Sequence, residues 1–186
     1  PTRRSSDLTI DSATLANKGL EVIEAHFLFG LPYERIEVVV HPTSVVHAIV
    51  RLRDGAALAH LGYPDMRVPI SYALTYPERR ATAVAPLDFR AGLTLAFEPP
   101  DTSRFPLLAL ARQAGKKGGT YPCAFNAANE VAVEAFLEGR VRFTDISAIV
   151  EGALAAVDGA PARDLRELVE ADEEARRLAA GRLTPA

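Results

Sequence analysis

Residues 45–53, with Asp54-Gly55 directly behind them, limit the possible folds of this chain more than any other feature. Side chains in a strand alternate between two faces. Here Val45, His47, Ile49 and Arg51 share one face and Val46, Ala48, Val50 and Leu52 the other, so the pattern has period two and one face is wholly aliphatic. Asp-Gly is the strongest short hairpin signal, because the tight two-residue turn needs positive φ at its centre. Residues 45–53 and 56–61 are therefore expected to pair as antiparallel strands. Residues 36–40, β-branched and bounded by Pro42, read as a further strand. The expectation is a sheet of at least three strands, one face of it covered by the first helix or by a partner.

On either side of this segment the period changes to that of a helix. Residues 13–29 are expected to form a first helix, stopped by Gly30 and Pro32. Asp11, Ser12 and Thr14 are placed to accept from its free N–H groups. Ala16, Leu20, Ile23 and Phe27 form its apolar stripe, whereas Asn17 and Glu21 (i, i+4) and Lys18 and Glu21 (i, i+3) share another side. A helix N-terminus with a lysine suits an anion such as phosphate, and a carboxylate one turn on suits a hard cation. The same residues also describe an ordinary capped helix with a weak surface ion pair. A loop at 62–66 leads to a helix that has Pro69 in its first turn and ends near Tyr76-Pro77. Residues 78–103 are proline-rich and read as a linker, with strand character only at 93–97.

Beyond it the pattern is helical: residues 105–114 closed by Lys116-Lys117-Gly118-Gly119, a helix capped by Asn126 and ended by Gly139, and one capped by Thr144 or Asp145. A last pair spans 163–169 and 172–180. Short connections between amphipathic helices give an antiparallel bundle. The fold class is thus α+β: a mixed sheet packed with helices, a proline-rich linker and a C-terminal α-helical bundle.

A length of 186 residues, 48% hydrophobic and 24% charged, with net charge −3, indicates a globular chain and gives no basic surplus for nucleic acid. One cysteine, Cys123, excludes an internal disulfide and makes a cysteine-based zinc site implausible. A reducing compartment, the cytoplasm, fits. Every apolar run is interrupted by charge or histidine, so no membrane span is expected, and nothing resembles a signal peptide. Residues 1–8 lack an initiator Met and resemble one reading frame of a sequencing-adapter oligonucleotide. They are expected to be a non-native leader on a read truncated at its 5′ side.

Among further candidates, His26, His41, His47 and His60 have no zinc-protease spacing. His41, before a proline at a strand end, suits a pocket mouth; the other three read as packing or surface residues. Asn126-Ala127-Ala128-Asn129-Glu130 suits a binding motif, but capping accounts for its Asn and Glu. Lys116-Lys117 reads as a solvated helix end, and Cys123 as a small apolar residue without a charged helper. No GxGxxG and no P-loop occurs.

Several of these stretches together resemble one family. Thr9-Ile10-Asp11-Ser12-Ala13-Thr14 with Asn17-Lys18-Gly19-Leu20-Glu21 is similar to the central signature of 1-deoxy-D-xylulose 5-phosphate reductoisomerases. His41-Pro42-Thr43-Ser44-Val45-Val46-His47, Gly62-Tyr63-Pro64-Asp65-Met66-Arg67, Pro86-Leu87-Asp88-Phe89, the Asn126 to Glu130 motif and Arg142-Phe143-Thr144-Asp145-Ile146 follow in the family's order. The resemblance implies an enzyme of non-mevalonate isoprenoid synthesis. It would convert 1-deoxy-D-xylulose 5-phosphate to 2-C-methyl-D-erythritol 4-phosphate with NADPH and Mg²⁺ or Mn²⁺, as a homodimer joined through the sheet. It implies Ser12, Asn17, Lys18 and Glu21 as substrate ligands, Lys18 and Glu21 as catalytic residues, Glu21 as one of three metal carboxylates, and Met66 as a wall of the pocket.

The family's dinucleotide-binding domain and the other two metal carboxylates have no counterpart in these residues. The chain alone is accordingly expected to be inactive and not to bind NADPH. The implied organisation is a leader at 1–8, a catalytic, connecting and dimerisation domain at 9–77, a linker at 78–103 and a helical bundle at 104–186. Two rivals remain: a non-catalytic binding or assembly module that kept the fold, and another metal-dependent sugar-phosphate enzyme.

Overall fold

A computed structural model describes residues 3–183. It divides into two compact units, one formed by Val39–Pro99 and the other by the described residues on both sides of it. In the flanking unit, α1 (Arg3–Ala13) and α2 (Ala16–Phe29) come first in the chain. The smaller unit holds β1 (Val46–Arg51), β2 (Ala57–Leu61) and α3 (Arg67–Thr75). The chain then returns to the first unit with α4 (Leu107–Lys117), α5 (Tyr121–Leu137), α6 (Asp145–Ala156) and α7 (Leu165–Ala180). The fold is therefore a mixture of helices with a small antiparallel sheet.

α5 is the centre of the larger unit and packs against α4, α6 and α7. Its sequence explains this position. Ala124, Phe125, Ala127, Ala128, Ala132, Val133 and Ala135 are all buried, which covers most of the helix circumference rather than one stripe. The many alanines let neighbouring backbones approach. α6 contributes Ile146, Ile149, Val150, Ala153 and Leu154 to the same core, as its spacing predicts. Gly139, at φ 71°, ends the α5 segment as expected; its N–H donates to the Phe136 carbonyl and that of Arg140 to the Ala135 carbonyl.

α2 lies against α4, with Gly19 facing Ala111. Arg112 of α4 also donates to the Tyr33 and Ile36 carbonyls at 2.6 and 2.8 Å, which fixes the chain leaving α2. Tyr33 is buried, and His26 stacks on it at 4.3 Å while its Nδ1 meets the Leu31 carbonyl.

In the smaller unit the expected hairpin forms, with Ala48 opposite His60 and Val50 opposite Leu58. Asp54 tightens its turn by accepting from the Ala56 N–H. α3 also forms where Pro69 indicated. Both hairpin faces stay open: the paired Val50 and Leu58 are 58% and 62% exposed on one face, and Ile49 is 43% exposed on the other.

Several expectations need correction. Residues 36–40 do not make a third strand: among the described residues only Val40 pairs, in an isolated antiparallel bridge with Glu98. The observed sheet is two-stranded and antiparallel, not mixed. The proline-rich stretch does not stand apart as a linker, since residues 78–99 belong to the smaller unit, held there in part by that bridge and by the His41 bond to the Ala96 carbonyl. The first helix does not run unbroken from 13 but is split at Thr14-Leu15. Asn126 is no cap: α5 begins five residues earlier, with Pro122 in its first turn. The last two helices are one, α7, capped by Asp164 accepting from the Glu167 N–H. Its continuity follows from Glu170, Ala171 and Asp172 having no breaker among them. Of the leader, residues 1 and 2 lie outside the described residues and the backbone of 3–8 lies in α1. Among the described residues no helix is long and apolar enough to cross a membrane.

Candidate functional site

The break between α1 and α2 places the polar residues. α1 ends at Ala13, so Ser12 sits exposed in its last turn, not at a helix start. Leu15 then takes the left-handed conformation, φ 62° and ψ 15°, which costs a non-glycine residue about 1–2 kcal/mol. Such strain persists only where surrounding contacts dictate it. The buried Thr14 supplies some of them: its hydroxyl donates to the Asp11 carbonyl at 3.3 Å and accepts from the Ala16 N–H at 3.4 Å. α2 thus begins without a side-chain cap of its own on Leu15, and Asn17 and Lys18 fall in its first turn.

One turn on, Glu21 receives both. Asn17 Nδ2 donates to its Oε1 at 2.8 Å and Lys18 Nζ to its Oε2 at 2.5 Å. The i,i+3 and i,i+4 spacing read from the sequence therefore appears as a bracketed carboxylate. Lys18 and Glu21 side chains are 40% and 44% exposed, so a ligand can reach them. The opposite side of α2 is buried through Ala16, Gly19, Val22 and Ile23, so the expected stripe is corrected: Leu20 is only half-buried and Phe27 is exposed.

Behind the break stands a residue that sequence reasoning assigned to capping. Asn129 is 1% exposed, and its Nδ2 donates to Asp11 Oδ1 at 2.7 Å. Burial raises the Asp11 carboxyl above its ordinary range; the Asn129 bond opposes this, and Asp7 and Glu130 add to it by repulsion. Glu130 in turn is held by Asn126 at 3.0 Å and by Arg176 of α7 at 2.6 Å, and Arg176 also binds Asp172 at 2.6 Å. A signal for Asn129 was present in the sequence. It shares a helical face with Phe125, Ala132 and Val133, where an amide needs a partner.

The other candidates settle into structural roles. His41 is held by the Ala96 carbonyl and Thr43 and stacks on Phe97; His47 meets the Gly62 carbonyl, with His60 beside it. Met66, in the smaller unit, precedes α3 and is 68% exposed. Lys116 pairs with Glu34 instead of being simply solvated. Cys123 is half-buried against the Leu168 carbonyl, its thiol pushed up chiefly by burial, and Arg176 and Asp172 are charged neighbours that the sequence did not reveal.

A family profile described as the DXP reductoisomerase C-terminal domain matches residues 61–178. A second, described as the 1-deoxy-D-xylulose 5-phosphate reductoisomerase C-terminal domain, matches residues 4–29 and so contains the whole cluster. The chain belongs to the 1-deoxy-D-xylulose 5-phosphate reductoisomerase family. The reductoisomerase of Ralstonia nicotianae is 57% identical over 172 residues, 92% of this chain and 44% of that relative. That of Chloroherpeton thalassium is 53% identical over 175 residues, 94% of this chain and 45% of the relative. The solved reductoisomerase of Zymomonas mobilis in complex with NADPH superposes with a TM-score of 0.89 at 47% identity, over 94% of this chain and 46% of that one. A reductoisomerase in complex with NADPH, fosmidomycin and magnesium gives 0.88 at 44% identity, over 95% and 46%. The chain spans just under half the length of these relatives.

Mg²⁺ takes near-octahedral oxygen coordination. No group of three or more metal-binding side chains occurs among the described residues, and both Glu21 oxygens are engaged by Asn17 and Lys18. The cluster offers one carboxylate and does not by itself fit the ion.

Proposed function

We propose that this chain is the C-terminal part of a 1-deoxy-D-xylulose 5-phosphate reductoisomerase, and that its own share of the site is to hold the phosphate end of the substrate. The observation that carries this reading is the placing of Ser12, Asn17 and Lys18 on either side of the α1–α2 break, accessible and next to the α2 N-terminus. Free N–H groups and the helix dipole favour an anion there. The serine hydroxyl and the asparagine amide add donors, and Lys18 adds a point charge. With Lys18 drawn to a phosphate, Glu21 would keep Asn17 as its partner and would be the one residue of this cluster able to contribute a carboxylate to a metal site.

In the whole enzyme the reaction is the conversion of 1-deoxy-D-xylulose 5-phosphate to 2-C-methyl-D-erythritol 4-phosphate with NADPH and Mg²⁺ or Mn²⁺, in the cytoplasm. The open faces of the β1–β2 hairpin support pairing of two copies through this sheet, and the helices α4 to α7 support the reading of 104–186 as a helical bundle of the larger protein. The 186-residue chain alone is expected to show no substrate-dependent NADPH oxidation.

The test is titration of the ¹⁵N-labelled chain with inorganic phosphate. Amide shifts confined to Ser12 and the first turn of α2, abolished in Lys18→Ala, are the expected result. Binding that Lys18→Ala leaves unchanged would favour a structural module instead.

A further inference from the structure

We propose that Asn129 is a positioning residue for the phosphate grip: from the buried centre of α5 it holds Asp11, and through Asp11 the break that sets Ser12 and the first turn of α2 side by side. The inference rests on the reading above that Ser12, Asn17 and Lys18 bind phosphate. It assigns a task to the Asn126–Glu130 motif, which helix capping does not explain.

The geometry separates the motif into two sides. Asn126 and Glu130 turn toward α7, where Arg176 holds Glu130 and is itself braced by Asp172. Asn129 turns inward, and its amide donates to a carboxylate 118 residues earlier. Glu130 is thus occupied by cationic and amide donors, which leaves Asn129 as the donor facing Asp11. Among the described residues, the local side-chain bonds across the break are those of Thr14, through contacts of 3.3 and 3.4 Å at the long end of hydrogen bonding. The 2.7 Å bond from Asn129 to a carboxylate is the stronger constraint. It acts one residue before Ser12 and four before the left-handed Leu15.

The unsatisfied atom argues the same way. Among the described residues Asn129 Oδ1 is buried without a hydrogen-bond partner, a loss of stability that a leucine of similar size would avoid. An asparagine here is useful for its donor alone, and the only bond that the donor makes among the described residues is to Asp11.

The experiment measures phosphate affinity in the folded 186-residue chain, at a temperature well below every variant's melting transition, for wild type, Asn129→Leu, Asp11→Ala and the double variant. A residue that only supported the fold would lower the melting temperature and leave the affinity of the folded chain untouched. Asn129→Leu is expected to weaken phosphate binding about tenfold, the loss of roughly one charge-assisted hydrogen bond. Asp11→Ala is expected to weaken it similarly, against electrostatics, since it removes a negative charge from beside an anion site. The double variant should lose no more than either single one, as a shared interaction requires. Asp11→Asn, which keeps the acceptor oxygen, should bind phosphate within about twofold of wild type.

Unchanged affinity in Asn129→Leu and Asp11→Ala, with Lys18→Ala still abolishing binding, would overturn the positioning role while leaving the phosphate reading intact. No phosphate binding by wild type would overturn both. Should Asn129→Leu fail to fold, Asp11→Ala decides, because that side chain is only half-buried at a helix end: unchanged or tighter binding there overturns the proposal.

Discussion

Replacing Gly19 by alanine tests the contact that seats α2, and with it Lys18, on α4. A Cβ at residue 19 would lie 2.5 Å from the Ala111 Cβ, 3.5 Å from the Leu107 carbonyl oxygen and 3.7 Å from the Leu108 Cα. Carbon atoms in contact sit about 3.5–4.0 Å apart, so only the first of these is a collision, and it calls for a movement of roughly 1 Å. Neither partner can yield cheaply. Ala111 is 0% and Leu107 1% exposed, and a methyl group has no rotamer that moves its Cβ. Overpacking of this kind costs about 1–3 kcal/mol. Gly19 is a helical residue with ordinary backbone angles, so alanine also returns about 1 kcal/mol of helix propensity. The expected net loss is about 0–2 kcal/mol, centred on about 1 kcal/mol, and at that centre a chain of this length loses roughly 2–4 °C in Tm.

The assay is thermal unfolding by circular dichroism at 222 nm for wild type, Gly19→Ala, Ala111→Gly and the double variant. The double variant should be more stable than the sum of the two single losses predicts, because Ala111→Gly removes the methyl group that the new Cβ meets. A Gly19→Ala protein that melts above wild type would show the propensity gain alone and refute the close α2–α4 approach.

Three further outcomes follow from the same structure. Asp11 titrates above its ordinary range, so the folded chain binds its proton more tightly than the unfolded chain does; stability falls as pH rises through the interval between the two values and stays lowered above it. Asp11→Asn should therefore be more stable than wild type at pH 7 in urea unfolding, with the advantage gone below about pH 3.9. Tyr33 is buried and its Oη has no hydrogen-bond partner among the described residues, so Tyr33→Phe should gain about 1 kcal/mol in the same assay; a loss of that size would expose a partner for the hydroxyl. Asp65 is held to about 2 by the side chain and backbone N–H groups of Arg67. Its carboxyl carbon should titrate there by NMR and move up toward about 3.9 in Arg67→Ala, and an unmoved midpoint would deny the pairing.

The reach of sequence reasoning can be judged residue by residue. The hairpin, the buried face of α6, and the bracketing of Glu21 by Asn17 and Lys18 were all legible, because each rests on periodicity or on residues at most a turn apart. Of the stripe expected on α2 only Ala16 and Ile23 are buried, with Gly19 and Val22 completing that side. The ordered motifs made the family legible as well, and two family profiles match the chain. What misled was local chemistry that tertiary packing overrode. Asn126 has the side chain of a cap, yet Pro122 and a run of alanines start α5 earlier. Asp11 and Ser12 have helix-start chemistry, yet they end α1. Residues 36–40 have strand composition, but among the described residues only Val40 finds a partner, Glu98.

By itself, then, the sequence determined which side of α2 carries the polar cluster and which family the chain resembles, since both depend on spacing along the chain. Only the tertiary structure decided how that cluster is held. The left-handed Leu15, the approach of Gly19 to Ala111 and the bond from Asn129 to Asp11 depend on helices far apart in sequence meeting in one core. No local pattern encodes which buried amide will face which carboxylate across 118 residues; the packing of α5 at the centre of the unit does.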